Sequence, residues 1–367
     1  MSHSRSRSNP DWLIIMSTLA LLGIGIVMVY SASAVLAYRE LGDWYYYAKR
    51  QLFFASLGIL SLYVTMNIDY WVWKKWAKLG LIITYALLVI VLIPGVGLTR
   101  GGATSWLGIG SFSIQPSEFV KLAIIIFLAK LFSERQKEMV YFKKGILPPL
   151  GLLGIAIGLI MLQPDLGTAT VLVGTVMVMI FTAGARMKHL VGLAMVGVVG
   201  FVALVLAAPY RIQRILAFID PWQDPLGAGY QLIQSLYAIG PGQLMGLGLG
   251  MSRQKHLYVP EPHTDFIFAI LAEELGFIGG ATVLLLFLVL FWRGFRAAIT
   301  APDLFGSFLA VGITGMIAIQ VIINIGVVTG MFPITGITLP LLSAGGSSLT
   351  LTLTSIGILL NVTRYSR

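Results

Sequence analysis

An all-α, polytopic membrane protein with about ten transmembrane helices is the fold class this sequence predicts, and three observations lead there. The chain of 367 residues is 57% hydrophobic and 11% charged, with a mean hydropathy of +0.88, whereas a soluble domain is roughly a quarter charged. Apolar runs recur from one end to the other, each long enough to cross a hydrocarbon core of about 30 Å, which takes about 20 helical residues. The short segments between them hold most of the Lys, Arg and Pro. One integral membrane domain over 1–367 is expected, with a cytoplasmic N-terminal tail at 1–11 and a large extracytoplasmic loop at 208–264, between the seventh and eighth spans.

The first run, 12–32, follows a polar tail with Arg5 and Arg7 and is longer than a signal-peptide core, so it reads as a retained helix. Spans at 51–68, 77–94, 117–133, 146–163 and 167–184 follow, the last two joined by the tight turn Gln163-Pro164-Asp165-Leu166-Gly167. Four more lie at 189–207, 266–291, 306–329 and 338–361. Gly326, Gly330, Gly336, Gly345 and Gly346, with Pro333 and Pro340, interrupt the last two. Close helix packing or a broken helix lining a cavity would explain them. Lys74, Lys75, Lys78, Lys143, Lys144, Arg186 and Lys188 fall in short loops on one side, which makes that side, and both termini, cytoplasmic. On the other side, 95–116 and 209–264 are long and rich in turn residues. The apolar spacing over 212–219 and 230–239 predicts short helices lying at the interface, in an ordered cap over the outer face.

Several chemistries are excluded at once. Without Cys there are no disulfides, thiolate metal sites or Cys nucleophiles, and the four His are too scattered for a zinc cluster. The formal charge of +10 is dispersed among apolar segments, which argues for a membrane orientation signal and against nucleic acid. Gly246, Gly248 and Gly250 lack the preceding strand and following helix of a phosphate loop.

Charged groups at membrane depth are costly unless paired or wet, so each is a functional candidate. Glu118 and Lys121 open the fourth span three residues apart, close enough to pair; capping by Ser117 and a favourable helix-dipole position is the alternative for Glu118. Asp165 suits a turn or cap. Glu273 and Glu274 sit about 12 Å into the eighth span, where one is expected to face a polar interior. Asp265 ends the Pro-stiffened approach Val259-Pro260-Glu261-Pro262-His263-Thr264-Asp265-Phe266, with Lys255, His256, Glu261 and His263 close by. An N-cap is one reading of Asp265. The other is a general base towards a lipid-borne substrate, with neighbouring cations holding a phosphate or pyrophosphate leaving group.

The stretch from Asn324-Ile325-Gly326-Val327-Val328-Thr329 through Gly330-Met331-Phe332-Pro333-Ile334-Thr335-Gly336-Ile337-Thr338-Leu339-Pro340 and Leu341-Leu342-Ser343-Ala344-Gly345-Gly346-Ser347-Ser348 resembles the signature of the SEDS family (shape, elongation, division and sporulation). Agreement extends to Arg100-Gly101-Gly102 with Trp106, to Gln115-Pro116-Ser117-Glu118-Phe119-Val120-Lys121, to Gln163-Pro164-Asp165-Leu166-Gly167, and to Lys255 through Pro262-His263-Thr264-Asp265-Phe266. The resemblance covers nearly the whole chain and sits closer to the division and sporulation branch than to the elongation branch. It implies a ten-helix bundle that polymerises lipid II, the undecaprenyl-pyrophosphate disaccharide-pentapeptide, on the outer face of a bacterial inner membrane. By resemblance Asp265 is the catalytic acidic residue, while Glu118, Lys121 and Asp165 are important polar positions. Arg100, Trp106, Lys255, Glu261 and His263 join them as supporting or substrate-binding residues, with Arg211 and Arg214 as further cations for the pyrophosphate. No cofactor is fixed by the sequence, a divalent cation, magnesium or manganese, being the one candidate to assist the leaving pyrophosphate; the partner the resemblance implies is a class B penicillin-binding protein with transpeptidase activity, in contact with membrane lipids. A flippase for the same lipid and a non-catalytic scaffold for the transpeptidase are the competing functions.

Overall fold

In the computed structural model, which describes residues 8–100, 103–109, 112–207, 209–256 and 258–366, all ten expected spans are helices. They are α1 (Trp12–Leu41), α2 (Tyr46–Asn67), α3 (Tyr70–Val91), α4 (Pro116–Arg135), α5 (Leu147–Met161), α6 (Leu166–Thr182), α7 (Met187–Leu206), α10 (Ile267–Thr300), α11 (Leu304–Val328) and α12 (Gly346–Thr363). Between α7 and α10 lie the short helices α8 (Pro209–Ile219) and α9 (Tyr230–Gly242) that the apolar spacing called for. The α2–α3 pair turns through 113° at Ile68–Asp69. The 95–116 segment holds a small antiparallel sheet of β1 (Leu98–Arg100), β2 (Ala103–Ile109) and β3 (Phe112–Ile114), in the order β1-β2-β3.

The last span differs from expectation. Residues 338–345 are not helical, and α12 begins at Gly346. Pro340 lacks an amide hydrogen for a helical ladder, and Ser343 Oγ takes the Leu339 amide (2.8 Å) in its place. This non-helical passage, with a turn in which the Leu342 and Ser343 amides bond the Leu339 carbonyl, is the broken-helix arrangement.

Lipid offers no hydrophobic drive between helices, so close approach and interhelical hydrogen bonds hold the bundle. A Cβ at Gly25 of α1 would overlap the Leu341 carbonyl oxygen, and one at Gly357 of α12 would overlap Thr65 of α2. Ser61 Oγ lies 2.6 Å from Thr354 Oγ1, and Thr65 Oγ1 donates to the Thr354 carbonyl (3.2 Å), so α2 and α12 are tied in the apolar layer. Val120, Ile125, Leu172, Met179, Leu309 and Ile313 form the core between α4, α6 and α11.

One end of the bundle is clasped by fixed polar contacts. Asp11 caps α1 (3.0 Å to the Leu13 amide) and pairs with Arg293 of α10. Asp303 caps α11 and accepts from Tyr70 Oη (2.6 Å) and Trp71 Nε1 (2.9 Å). The opposite end holds a cavity.

Candidate active site

That cavity has a volume of about 1490 Å³ and is bounded by the end of α1, the start of α2, β2, the start of α4, the α5–α6 turn, α7, α8, residues 260–266, the 332–338 passage and the start of α12. Glu118, Asp165, Trp106, Glu261, His263 and Asp265, scattered through the sequence, all line it, and so do Arg211 and Arg214. Apolar wall comes from Leu166, Val171, Phe201, Val205, Ile323 and Phe332.

Asp265 sits in the loop just before α10. No side chain caps this helix, whose N-cap is Phe266, so the capping explanation for Asp265 fails. Its backbone is fixed instead: Asn324 Nδ2 donates to the carbonyl oxygens of Asp265 (2.8 Å) and Ile337 (2.6 Å). Ser343 Oγ donates to the Thr264 carbonyl (2.6 Å), and the Ala344 amide to that of His263 (2.8 Å). Gly336, with φ of 73°, passes so close that a Cβ there would lie 3.6 Å from Asp265 Oδ2. The half-buried carboxyl therefore stands on a rigid loop. Burial raises its pKa to about 7, Glu261 and Asp165 push the same way, and Arg214 opposes them. At neutral pH such a group can both take and release a proton.

Asp165 does what its turn position suggested. It caps α6 through the Thr168 amide (2.9 Å) and hydroxyl (2.8 Å), and it also receives Gln115 Nε2 (3.2 Å), joining the α5–α6 turn to the start of α4. Burial raises its pKa. Glu118 and Lys121 pair at 2.8 Å, with Glu118 on the cavity wall and Lys121 buried behind it. Trp106 lies on β2 opposite Leu98.

Two expectations need correction. Lys255 does not reach the cavity: its ammonium is buried against Glu274 Oε1 (3.2 Å) and donates to the Gly250 carbonyl (2.6 Å). The reason is a break in α10 at Gly276 (φ 66°), where the 243–248 backbone bonds across the gap, with Leu247 and Gly248 amides on the carbonyls of Glu273 (2.9 Å) and Glu274 (3.0 Å). This draws 249–256 down beside the helix instead of over the outer face. Both Glu273 and Glu274 are consumed there, Glu273 by Ser252 Oγ (2.5 Å) and the Arg253 amide (2.8 Å), Glu274 by Ser31 Oγ (2.7 Å) and Lys255. His263 is no cation either. It is 5% exposed, its ring lies 4.3 Å from that of Tyr47, and burial lowers its pKa to about 4, leaving it neutral. The side chain of Arg100 lies outside the described residues. Among the described residues no three carboxylate or imidazole groups converge, and no step below is routed through a metal.

Sequence reasoning missed Arg50, Tyr47 and Gln51, all on the cavity wall. Arg50 and Lys49 abut the expected span at 51, where a hydropathy window reads them as flanks. Asn324, which pins the Asp265 backbone, was legible as an amide inside an apolar run.

Fold and site together define a multi-pass membrane enzyme working at one end of its helical bundle. The family model of the cell cycle proteins FtsW, RodA and SpoVE matches residues 11–367. Stage V sporulation protein E of Bacillus subtilis (strain 168) is 62% identical over 98% of this chain and 99% of its own length. A probable peptidoglycan glycosyltransferase FtsW of Geobacter sp. (strain M18) is 43% identical, with 97% of each chain covered. Among solved structures, a chain of a peptidoglycan synthase complex in which polymerization and crosslinking are coordinated superposes with a TM-score of 0.80, at 33% identity, covering 97% of this chain and 98% of that one. The chain belongs to the FtsW, RodA and SpoVE family, the SEDS proteins, on its division and sporulation branch.

Proposed function

We propose that this peptidoglycan glycosyltransferase polymerises lipid II at the outer face of the bacterial inner membrane, with Asp265 as the general base. The observation that carries the reading is an ionisable carboxyl, held on a rigid loop and poised near neutrality, in a cavity with cationic and apolar walls. Asp265 takes the proton of the acceptor sugar's hydroxyl as that oxygen attacks the anomeric carbon of the donor. The anomeric carbon–oxygen bond breaks, and the electron pair leaves with undecaprenyl pyrophosphate. Arg211 and Arg214 of α8 are suited to stabilise that charge. A single displacement inverts the anomeric centre. The apolar wall of α7, with Phe201 and Val205, suits the prenyl chain.

The protein forms one integral membrane domain with both termini cytoplasmic, the Lys and Arg distribution supporting that orientation. Its partner is a class B penicillin-binding protein that crosslinks the strands, and it serves the division septum or the spore cortex.

The test is polymerisation of purified lipid II by the solubilised protein, with and without the transpeptidase, read as glycan chains on a gel. Wild type makes chains, and folded Asp265→Ala loses about 10²- to 10⁴-fold in rate. Equal chain formation by the two would remove Asp265 as the base. No chains from wild type, even with its partner, would leave a flippase or scaffold.

A further inference from the structure

Joining two lipid-linked sugars brings two pyrophosphates into the cavity, one on the donor and one on the acceptor, and two separate helices, α2 and α8, bring cations to its wall. Helix α8 brings Arg211 and Arg214, and Arg214 Nη1 reaches the Ile334 carbonyl (3.4 Å), two residues before Gly336, where a Cβ would lie 3.6 Å from Asp265 Oδ2. Helix α2 brings Arg50, half-buried in the same cavity wall. Its guanidinium lies 5.8 Å from the Phe54 ring, and among the described residues no carboxylate is within ion-pair distance of it.

The Phe54 ring in turn packs against Gly346, the first residue of α12, where a side chain would collide with it. No side chain caps α12, and Gly345, Gly346 and Ser348 line the cavity beside Arg50. A half-buried guanidinium without a counter-ion, in a cavity that admits a doubly anionic lipid, is a place for that anion. The positive end of a long helix adds to it.

We infer that Arg50, beside the start of α12, holds the pyrophosphate of the acceptor lipid, while Arg211 and Arg214 hold that of the donor. The assignment rests on the polymerase reading above and follows from where the reacting atoms lie. The donor's pyrophosphate is bonded to the carbon under attack, so it must sit close to the base. The acceptor's pyrophosphate is a disaccharide away from the attacking hydroxyl, so it must sit farther off. Arg214 is joined to the segment touching Asp265. The Arg214 charge acts on the Asp265 carboxyl, and that of Arg50 is not among those that do; the neighbours of Arg50 are Tyr47 and Phe54. The strand therefore grows by transfer from the α8 side onto a lipid held on the α2 side.

The test uses lipid II blocked at its terminal-sugar 4-hydroxyl, which can only donate, together with unmodified lipid II as acceptor, reading the first coupled product. Arg50→Gln is expected to raise the KM for the acceptor about tenfold or more and to leave the KM for the blocked donor nearly unchanged. Arg214→Gln is expected to lower kcat and raise the donor KM. Arg50→Lys, which keeps the charge but not the flat fork, should restore part of the acceptor affinity and covers the case where Arg50→Gln does not fold. An unchanged acceptor KM in both Arg50 variants, or a rise in donor KM instead, overturns the assignment. Wild type that couples nothing would bring down the polymerase reading itself, a separate result.

Discussion

Two buried lysine–glutamate pairs lie in this membrane protein, and they do opposite work. Lys121 and Glu118 are neighbours on one helix, 2.8 Å apart and 4% and 9% exposed, and among the described residues neither side chain has a further hydrogen-bond partner. Lys255 and Glu274 are 3.2 Å apart and 8% and 0% exposed, and every neighbour adds a bond: Gly250, Ser31 and the Ser252 amide. A saturated pair far from the cavity is framework, holding 249–256 against the break in α10. A pair with spare bonding capacity on the cavity wall is available to a ligand. The same two residue types, equally buried, are told apart by what surrounds them.

The largest expected effect breaks the framework pair. Glu274→Ala leaves the Lys255 charge buried without its partner and should cost about 3 to 5 kcal/mol, read as a lower melting point of the solubilised protein; Lys255→Met with Glu274→Leu should recover most of it. Next comes the cavity pair: Lys121→Met should reduce glycan polymerisation about tenfold, equivalent to about 1.4 kcal/mol in the barrier, while melting moves less than for Glu274→Ala. If both variants lost stability alike and activity alike, the distinction between the pairs would collapse. A smaller effect is expected at Asp165, where Ala removes the α6 cap at a cost of about 1 kcal/mol and Asn, a cap of similar quality, restores the melting point. Should Asn also leave polymerisation at the wild-type rate, the negative charge of Asp165 would have no catalytic part. The smallest is a change of shape. Asp265 must be ionised to act as a base, so the rate should rise with pH through about 7 and level off above it. Lys121→Met should scale that profile without moving its midpoint; a displaced midpoint would mean that the Glu118–Lys121 pair tunes the base directly.

Much of this was legible in the chain. Ten helices fall in the apolar runs that predict them, the last starting only at Gly346, because a bilayer admits only segments that satisfy their own backbone. Asp265 was identifiable from the proline-stiffened approach and its motif, and Asp165 from its turn. Lys255 was misjudged because its neighbours in sequence, His256 and Glu261, are not its neighbours in space. Its true partners are Glu274 and Ser31, and Ser31 and Glu274 are separated by 243 positions. Arg50 was passed over for the converse reason, since a cation at the edge of an apolar run looks like a flank until the cavity is seen beside it.

The sequence alone determined the membrane class, the spans, the long loop with its short helices, and the carboxylates worth testing, since hydropathy and helical spacing are local properties that the bilayer enforces. Tertiary structure decided which charges are spent on one another and which face the cavity. It kept 338–345 out of the helix and bonded to the loop before Asp265, left His263 neutral, and set Arg50 in the same cavity wall as α8. Burial and pairing depend on groups brought together across helices, and no periodicity along the chain encodes that proximity.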